Sequence, residues 1–324
     1  MFINTSDIIA SYRNSEGKFH RLDGPAVITK EGNEYWCKNG VKHREDGPAV
    51  TYDNWYNQTM YEWRINGELH REVGPAMITV SKNDYYGHYI LNEWYIEGKR
   101  HNDNGVAYEY KSDEKTVLKW YKNDKLHRED DYAIMEDDSE NNIYKEEWYF
   151  EDKLHREDGP AVCFNNGNCE RYEWWVNGVL HRENEPAITN YRLSSPTNEA
   201  EIEEWFINGK RHREDGPAVC FRDDNYERYE WWENGKRHRE DGPAIIDEEK
   251  IEYYLNNEKV DENQIKTLIK EKIEYYLNNE KVDENQIKTL IKEKNEQIKN
   301  ALLDNTNMCK DVCGIISDYV FTFN

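Results

Sequence analysis

Nine of the ten histidines in this chain open the same seven-residue unit. Its fullest form is His212-Arg213-Glu214-Asp215-Gly216-Pro217-Ala218, and variants start at His20, His43, His70, His101, His127, His155, His181 and His238. Seven residues before each of the last eight stands a tryptophan: Trp36, Trp63, Trp94, Trp120, Trp148, Trp174, Trp205 and Trp231. Only His88 lies outside the pattern. Successive units are 23 to 31 residues apart, which is the signature of an array whose units bury their apolar faces against one another.

Each unit reads in three parts. An aromatic run rich in strand formers, such as Tyr172-Glu173-Trp174-Trp175-Val176, comes first. It ends in Asn-Gly at Asn39-Gly40, Asn66-Gly67, Asn177-Gly178, Asn208-Gly209 and Asn234-Gly235, the strongest short hairpin signal because both residues tolerate positive φ. The His-Arg-Glu-Asp-Gly-Pro segment follows. Proline lacks a donor and glycine permits a bend, so Gly-Pro predicts a reversal rather than mid-strand. The return strand then opens with Ala26, Ala49, Ala76, Ala107, Ala133, Ala161, Ala187, Ala218 or Ala244, each followed by an apolar residue. A small residue before a bulky one at fixed places is what a repeated packing layer needs. The links back to the next aromatic run vary in length, as in 81–92 and 190–199, and are expected along one edge. Three units depart from the consensus, at 101–106, at Asp131-Tyr132 and at Glu185, and looser turns or local bends are expected there.

The fold expected is an all-β repeat array over residues 1–250: an elongated, single-layer antiparallel β-meander of about nine hairpins, or roughly 18 strands. Residues 1–19 form an N-terminal cap in which Arg13 takes the tryptophan position. A short α-helical C-terminal region follows. Residues 251–272 recur unchanged at 273–294, and the 251–303 region reads as a duplicated, degenerate hairpin and helix. Tyr253 and Val260 keep the seven-residue spacing, Asp261 and Gln264 resemble a capping box, and helices are expected at about 262–277 and 284–303. In the 304–324 tail, Val312, Ile315, Ile316 and Tyr319 fall at helical spacing as a candidate partner-binding face.

Nine near-copies of one segment give nine similar environments, whereas catalysis needs one pocket with distinct pKa values. The histidines and arginines are therefore expected to brace the tryptophans, and no catalytic, cofactor-binding or metal site is assigned. A net charge of -23 argues against nucleic acid and anionic membrane as partners. Cysteines at 37, 163, 169, 220, 309 and 313 lack zinc-ribbon spacing and read as reduced thiols in an intracellular, cytoplasmic protein.

The run Trp205-Phe206-Ile207-Asn208-Gly209-Lys210-Arg211-His212 resembles the membrane occupation and recognition nexus (MORN) repeat. Arg213-Glu214-Asp215-Gly216-Pro217 departs from the family's glycine directly after histidine, and the longer form is similar to the MORN-like variants of bacteria, phages and giant DNA viruses. The resemblance covers about residues 8–260. It implies β-hairpin units joined in one twisted sheet, and a scaffold in the host cell or virion that binds protein or, in some members, membrane. The tail around Val312 and Tyr319 is similar in spacing to short F-box-like helices, which implies an adaptor that recruits ubiquitin-ligase machinery. The expectation is a non-enzymatic scaffold for protein–protein interaction, with the adaptor and the peripheral membrane protein as alternatives.

Overall fold

The computed structural model describes residues 7–277 apart from 55–56, 84–86, 194–199, 224–225 and 249. The second helix expected at 284–303 and the tail residues Val312, Ile315, Ile316 and Tyr319 lie outside the described residues.

The chain builds an open antiparallel sheet of 20 strands in which sequence neighbours are spatial neighbours. Ile8–Ser11 pairs with Val27–Thr29, Val50–Asp53 with Gln58–Glu62, Gln58–Glu62 with Met77–Asn83, and so on to Ile251–Leu255 and Glu258–Val260. Strict alternation of direction puts one class of link on each edge. The links of varying length, between partners such as Ile188–Arg192 and Ala200–Glu204, all emerge along one edge, as expected.

At the other edge the fold differs from a simple row of hairpins. The Asn-Gly turns do not join two strands of the large sheet. At each repeat tryptophan the chain leaves that sheet and folds into a small hairpin, giving eight separate two-stranded sheets from Cys37–Lys38 with Val41–Lys42 to Trp232–Glu233 with Lys236–Arg237. The tryptophan amide donates to the carbonyl of the alanine that starts the return strand, and the tryptophan carbonyl accepts from the histidine amide. That alanine is thereby held against its own tryptophan and the next unit's strand, and all nine alanines are fully buried. A side chain larger than methyl has no room at this crossing, which is why the position never varies.

All nine small turns have positive φ at both central residues, 48 to 53° and then 66 to 92°, the geometry of a type I′ turn. Where glycine is missing, an acid or amide replaces it with a compensating bond: Asp124, Asp152 and Asn257 each accept, through Oδ1, the backbone amide of Arg100, Leu126 or Arg237 in the preceding unit. Glu97 and Glu151 are the costly substitutions, because their long side chains gain no local bond from a left-handed backbone. Glu151→Asn is expected to stabilise its unit by about 1 kcal/mol, less the small loss of the exposed Lys125 pair. A rise in the urea midpoint, with no change in slope, checks it.

Several details correct the sequence-based expectation. In the first unit Tyr12, not Arg13, takes the tryptophan place: its amide donates to the Ala26 carbonyl and its carbonyl accepts from His20, and Arg21 stacks on it at 4.2 Å. The turn 14–18 carries one extra residue, which displaced the count. The three departing units are not looser. Ala107, Ala133 and Ala187 keep full burial and the same backbone bonds, with only the Asn102 amide bond lengthened to 3.4 Å.

The array runs on to Val260, with Tyr253 in the tryptophan place, and then to a helix at Glu262–Leu277. Asp261 and Gln264 exchange side-chain-to-backbone bonds of 2.9 and 2.8 Å, a closed capping box, and Ile265 is buried. The pentapeptide Ile-Glu-Tyr-Tyr-Leu is a strand at 251–255 and helical at 273–277. Its local preference is the same in both places, so tertiary context decides.

Candidate interaction surface

Three sets of contacts use up the chemistry of the repeat. The first is a stack. In seven units the arginine after the histidine lays its guanidinium over the repeat tryptophan, 3.7 to 4.2 Å from the ring centroid. Each such contact is worth about 0.5 to 2 kcal/mol according to its desolvation. Nη1 of the same arginine donates to the carbonyl four residues on, that of Pro48, Pro75, Tyr132, Pro160, Pro186, Pro217 or Pro243. In the unit without arginine, Asn102 makes the equivalent bond to Val106 at 2.6 Å. The repeat glycine is explained by this stack rather than by a bend. A Cβ on Gly24, Gly47, Gly159, Gly216 or Gly242 would fall 2.6 to 3.2 Å from the guanidinium carbon, whereas only Gly74 among the glycines of this segment has positive φ. Where the glycine is replaced, Asp131 and Glu185 instead form ion pairs with Arg128 and Arg182.

The second set is a clip between units. The histidines serve the ladder chiefly through hydrogen bonds, and His127 and His155 also set their rings against Phe150, at 4.7 and 6.1 Å. Nδ1 of each of the nine accepts the backbone N–H of the first turn residue in the next unit, at 3.1 to 3.4 Å. The carbonyl just before each histidine accepts the following N–H at 2.7 to 2.9 Å. A backbone amide can only donate, so from His43 to His238 this bond places the lone pair on Nδ1 and the imidazole hydrogen on Nε2, whereas His20 Nδ1 also lies 2.9 Å from Asn39 Oδ1. His43, His101 and His127 direct Nε2 toward Glu45, Asp103 and Glu129.

The third set went unread in the sequence. Seven glutamates immediately precede the repeat aromatic residue: Glu62, Glu93, Glu147, Glu173, Glu204, Glu230 and Glu252. Their side chains are only 4 to 18% exposed, and each has a cationic partner such as Arg100 for Glu93 at 2.5 Å or Arg211 for Glu204 at 2.7 Å. Trp175 and Trp232 add indole N–H bonds to Glu173 and Glu230. Burial is the largest single influence and would raise Glu62 and Glu230, but the hydrogen bonds and charges of Arg64 and Lys42, and of Arg228, Trp232 and Arg237, together outweigh it and hold both below the ordinary carboxylate range. Hydrogen bonds from Lys259 and Lys250 bring Glu252 down to about 2. Recurrence of glutamate at one repeat position was the available signal.

With those groups occupied, the small hairpins present what remains. The residue after the repeat aromatic is Tyr95, Tyr121, Tyr149, Trp175, Phe206, Trp232 and Tyr254 in successive units. Arg100 lies 5.6 and 5.7 Å from the rings of Tyr95 and Tyr121, and Arg211 lies 5.6 and 5.4 Å from those of Phe206 and Trp232. A shallow groove of about 400 Å³ opens here, lined by Phe206, Gly209, Lys210, Arg211, Trp232 and Gly235. The nine hairpin segments, 37–42 through 254–259, hold thirteen Lys and Arg against seven Asp and Glu. Six of these cations, Lys42, Arg64, Arg100, Arg211, Arg237 and Lys259, are the partners of the buried glutamates, and exposed acids such as Glu45 and Asp46 follow directly on the hairpins.

Two of the described cysteines are poor nucleophiles. Burial pushes the Cys163 thiol up to about 11 and that of Cys220 up to about 12, so neither is a thiolate near neutral pH. Cys37, Cys163, Cys169 and Cys220 are free thiols, as expected. Among the described residues no group of three or more His, Cys, Asp and Glu could hold a metal ion, and no helix is long and apolar enough to cross a membrane. No protein-family model and no curated protein matches the chain.

Proposed function

We propose that this protein is a non-enzymatic scaffold that binds protein partners along the small-hairpin edge, in the manner of the MORN-like repeats it resembles. The observation that carries this reading is the engagement of every repeat histidine in the clip. A general base must keep an open nitrogen within reach of a substrate proton, and here Nδ1 is occupied nine times over. What the array leaves half-buried at this edge is a row of aromatic rings flanked by arginine and lysine, residue types enriched at the centres of protein interfaces. Lys210 and Arg211 beside the rings of the groove suit an acidic protein segment.

Affinity capture with the full chain as bait tests it. The partner set is expected to persist when each repeat histidine is changed to alanine in turn, each variant losing only a graded amount of stability. It is expected to be lost in the groove variant Lys210→Glu/Trp232→Ala. One histidine variant that abolishes the biological effect while its fold persists would replace the scaffold with an enzymatic reading. The adaptor alternative is separated by deleting 304–324: a partner set left unchanged by that deletion removes its support.

A further inference from the structure

We propose that the two identical C-terminal segments compete for one docking position at the end of the array, so that residues 273–282 can replace residues 251–260 as its last hairpin. The position is made by the ninth histidine unit. The amide of Ala244 donates to the carbonyl of Glu252 at 2.8 Å, and that of Arg239 to the carbonyl of Tyr254 at 3.1 Å. His238 Nδ1 accepts the amide of Asn256, and Asn257 exchanges two bonds with the backbone of Arg237. Glu252 is held between Lys250 and Lys259. Every residue in this set that belongs to the docked segment has an identical counterpart 22 residues on, because residues 249–272 and 271–294 are the same sequence. Even Lys250, just outside the hairpin, is matched by Lys272. The sequence of the following helix and of its capping box recurs as well, with Asp283 and Gln286 at the places of Asp261 and Gln264.

Identical sequence makes identical contacts, so the two arrangements differ in chain connectivity. With the first copy docked, three residues, 248–250, link Asp247 to the hairpin; with the second docked, twenty-five do, 248–272. Loop closure becomes less favourable as the 3/2 power of length, which favours the first copy by about 25-fold. The longer link would leave on the edge where link length already varies between units. The pentapeptide that this exchange would convert from helix to strand, at 273–277, already forms that strand at 251–255.

The test reads hydrogen-exchange protection of the Ala244 amide in the full chain, with the Ala133 amide as a folding control. Tyr253 is nearly buried, so Tyr253→Asp should expel the first copy. Protection at Ala244 is expected to fall by about 25-fold and then stop, as the second copy takes over. Tyr275→Asp alone should leave Ala244 within twofold of the unsubstituted chain, as about a 25-fold minority state contributes little. The double variant Tyr253→Asp/Tyr275→Asp should lose protection well beyond the sum of the single losses, with Ala133 unchanged in all three. Equal loss in Tyr253→Asp and the double variant, or a double loss that is merely additive, overturns the proposal.

Discussion

Replacing Trp205 with alanine is expected to cost about 4 kcal/mol, the upper range for removing a large aromatic from a packed site. Trp205 is the most buried of the repeat tryptophans, at 9% exposure, and packs with Ala218, Cys220 and Tyr229. Its removal opens a cavity beside three residues that are themselves fully enclosed and strips Arg213 of the ring it covers at 3.9 Å. The loss should also be local. Each unit bonds only to its neighbours through the clip and the strand ladder, so stability is a sum of unit and interface contributions. Amides of His212 and Ala218 are expected to lose hydrogen-exchange protection together, while those of Ala76 and Ala107, several units away, keep theirs. A uniform loss from end to end would mean that the array unfolds as one cooperative block, and the nearest-neighbour description would be wrong.

Acid should unfold the array through its buried glutamates. Glu62, Glu230 and Glu252 have folded-state values below the ordinary 4.5, held there by Arg64, by Arg228 and by Lys259 with Lys250. A depressed carboxylate stabilises the fold fully above its unfolded value and gives that stability up as pH falls through the folded one. The expected window therefore opens near pH 4.5 and closes near 2, the value for Glu252. Protonation removes the anionic partner of several partly buried cations at once, which couples neighbouring units. Near-UV circular dichroism of the tryptophans, followed from pH 6 to pH 2 at low salt, should show one steep loss within about that window. Glu230→Gln should unfold at milder denaturant at neutral pH and show a shallower acid dependence. A near-UV spectrum unchanged at pH 2 would refute the role given to this row.

The parts of the fold legible in the sequence were those written in side-chain identity. Asn-Gly announced the type I′ turns, the seven-residue Trp-to-His spacing fixed the register of each small hairpin, and Asp261 with Gln264 marked the helix start to the residue. Bonds that run through the backbone stayed hidden. The clip accepts whatever amide stands first in the next turn, so Asn39, Glu97 and Glu151 serve equally and no residue pattern betrays it. The separation of the small hairpins from the large sheet depends on how the chain turns at each tryptophan, which composition does not encode. The buried glutamates were missed because charged residues are expected outside, and the arginines that satisfy them follow no single offset: Arg64 stands two residues after Glu62, and Arg100 seven after Glu93. The groove between Phe206 and Trp232 depends on two adjacent hairpins and is invisible in either one alone.

The clip also gives the molecule a direction in time. Every repeat histidine waits for a turn that lies 18 to 27 residues later in the chain, and none of the nine is completed by a turn before it. During synthesis the earlier unit is therefore exposed with its acceptor empty until the next hairpin leaves the ribosome and closes on it. At about 5 to 20 residues per second that delay is a few seconds, repeated once per unit. The nascent protein consolidates from its N-terminus like a zip fastener, one tooth behind the ribosome, and a pause in translation leaves at most one histidine unit open.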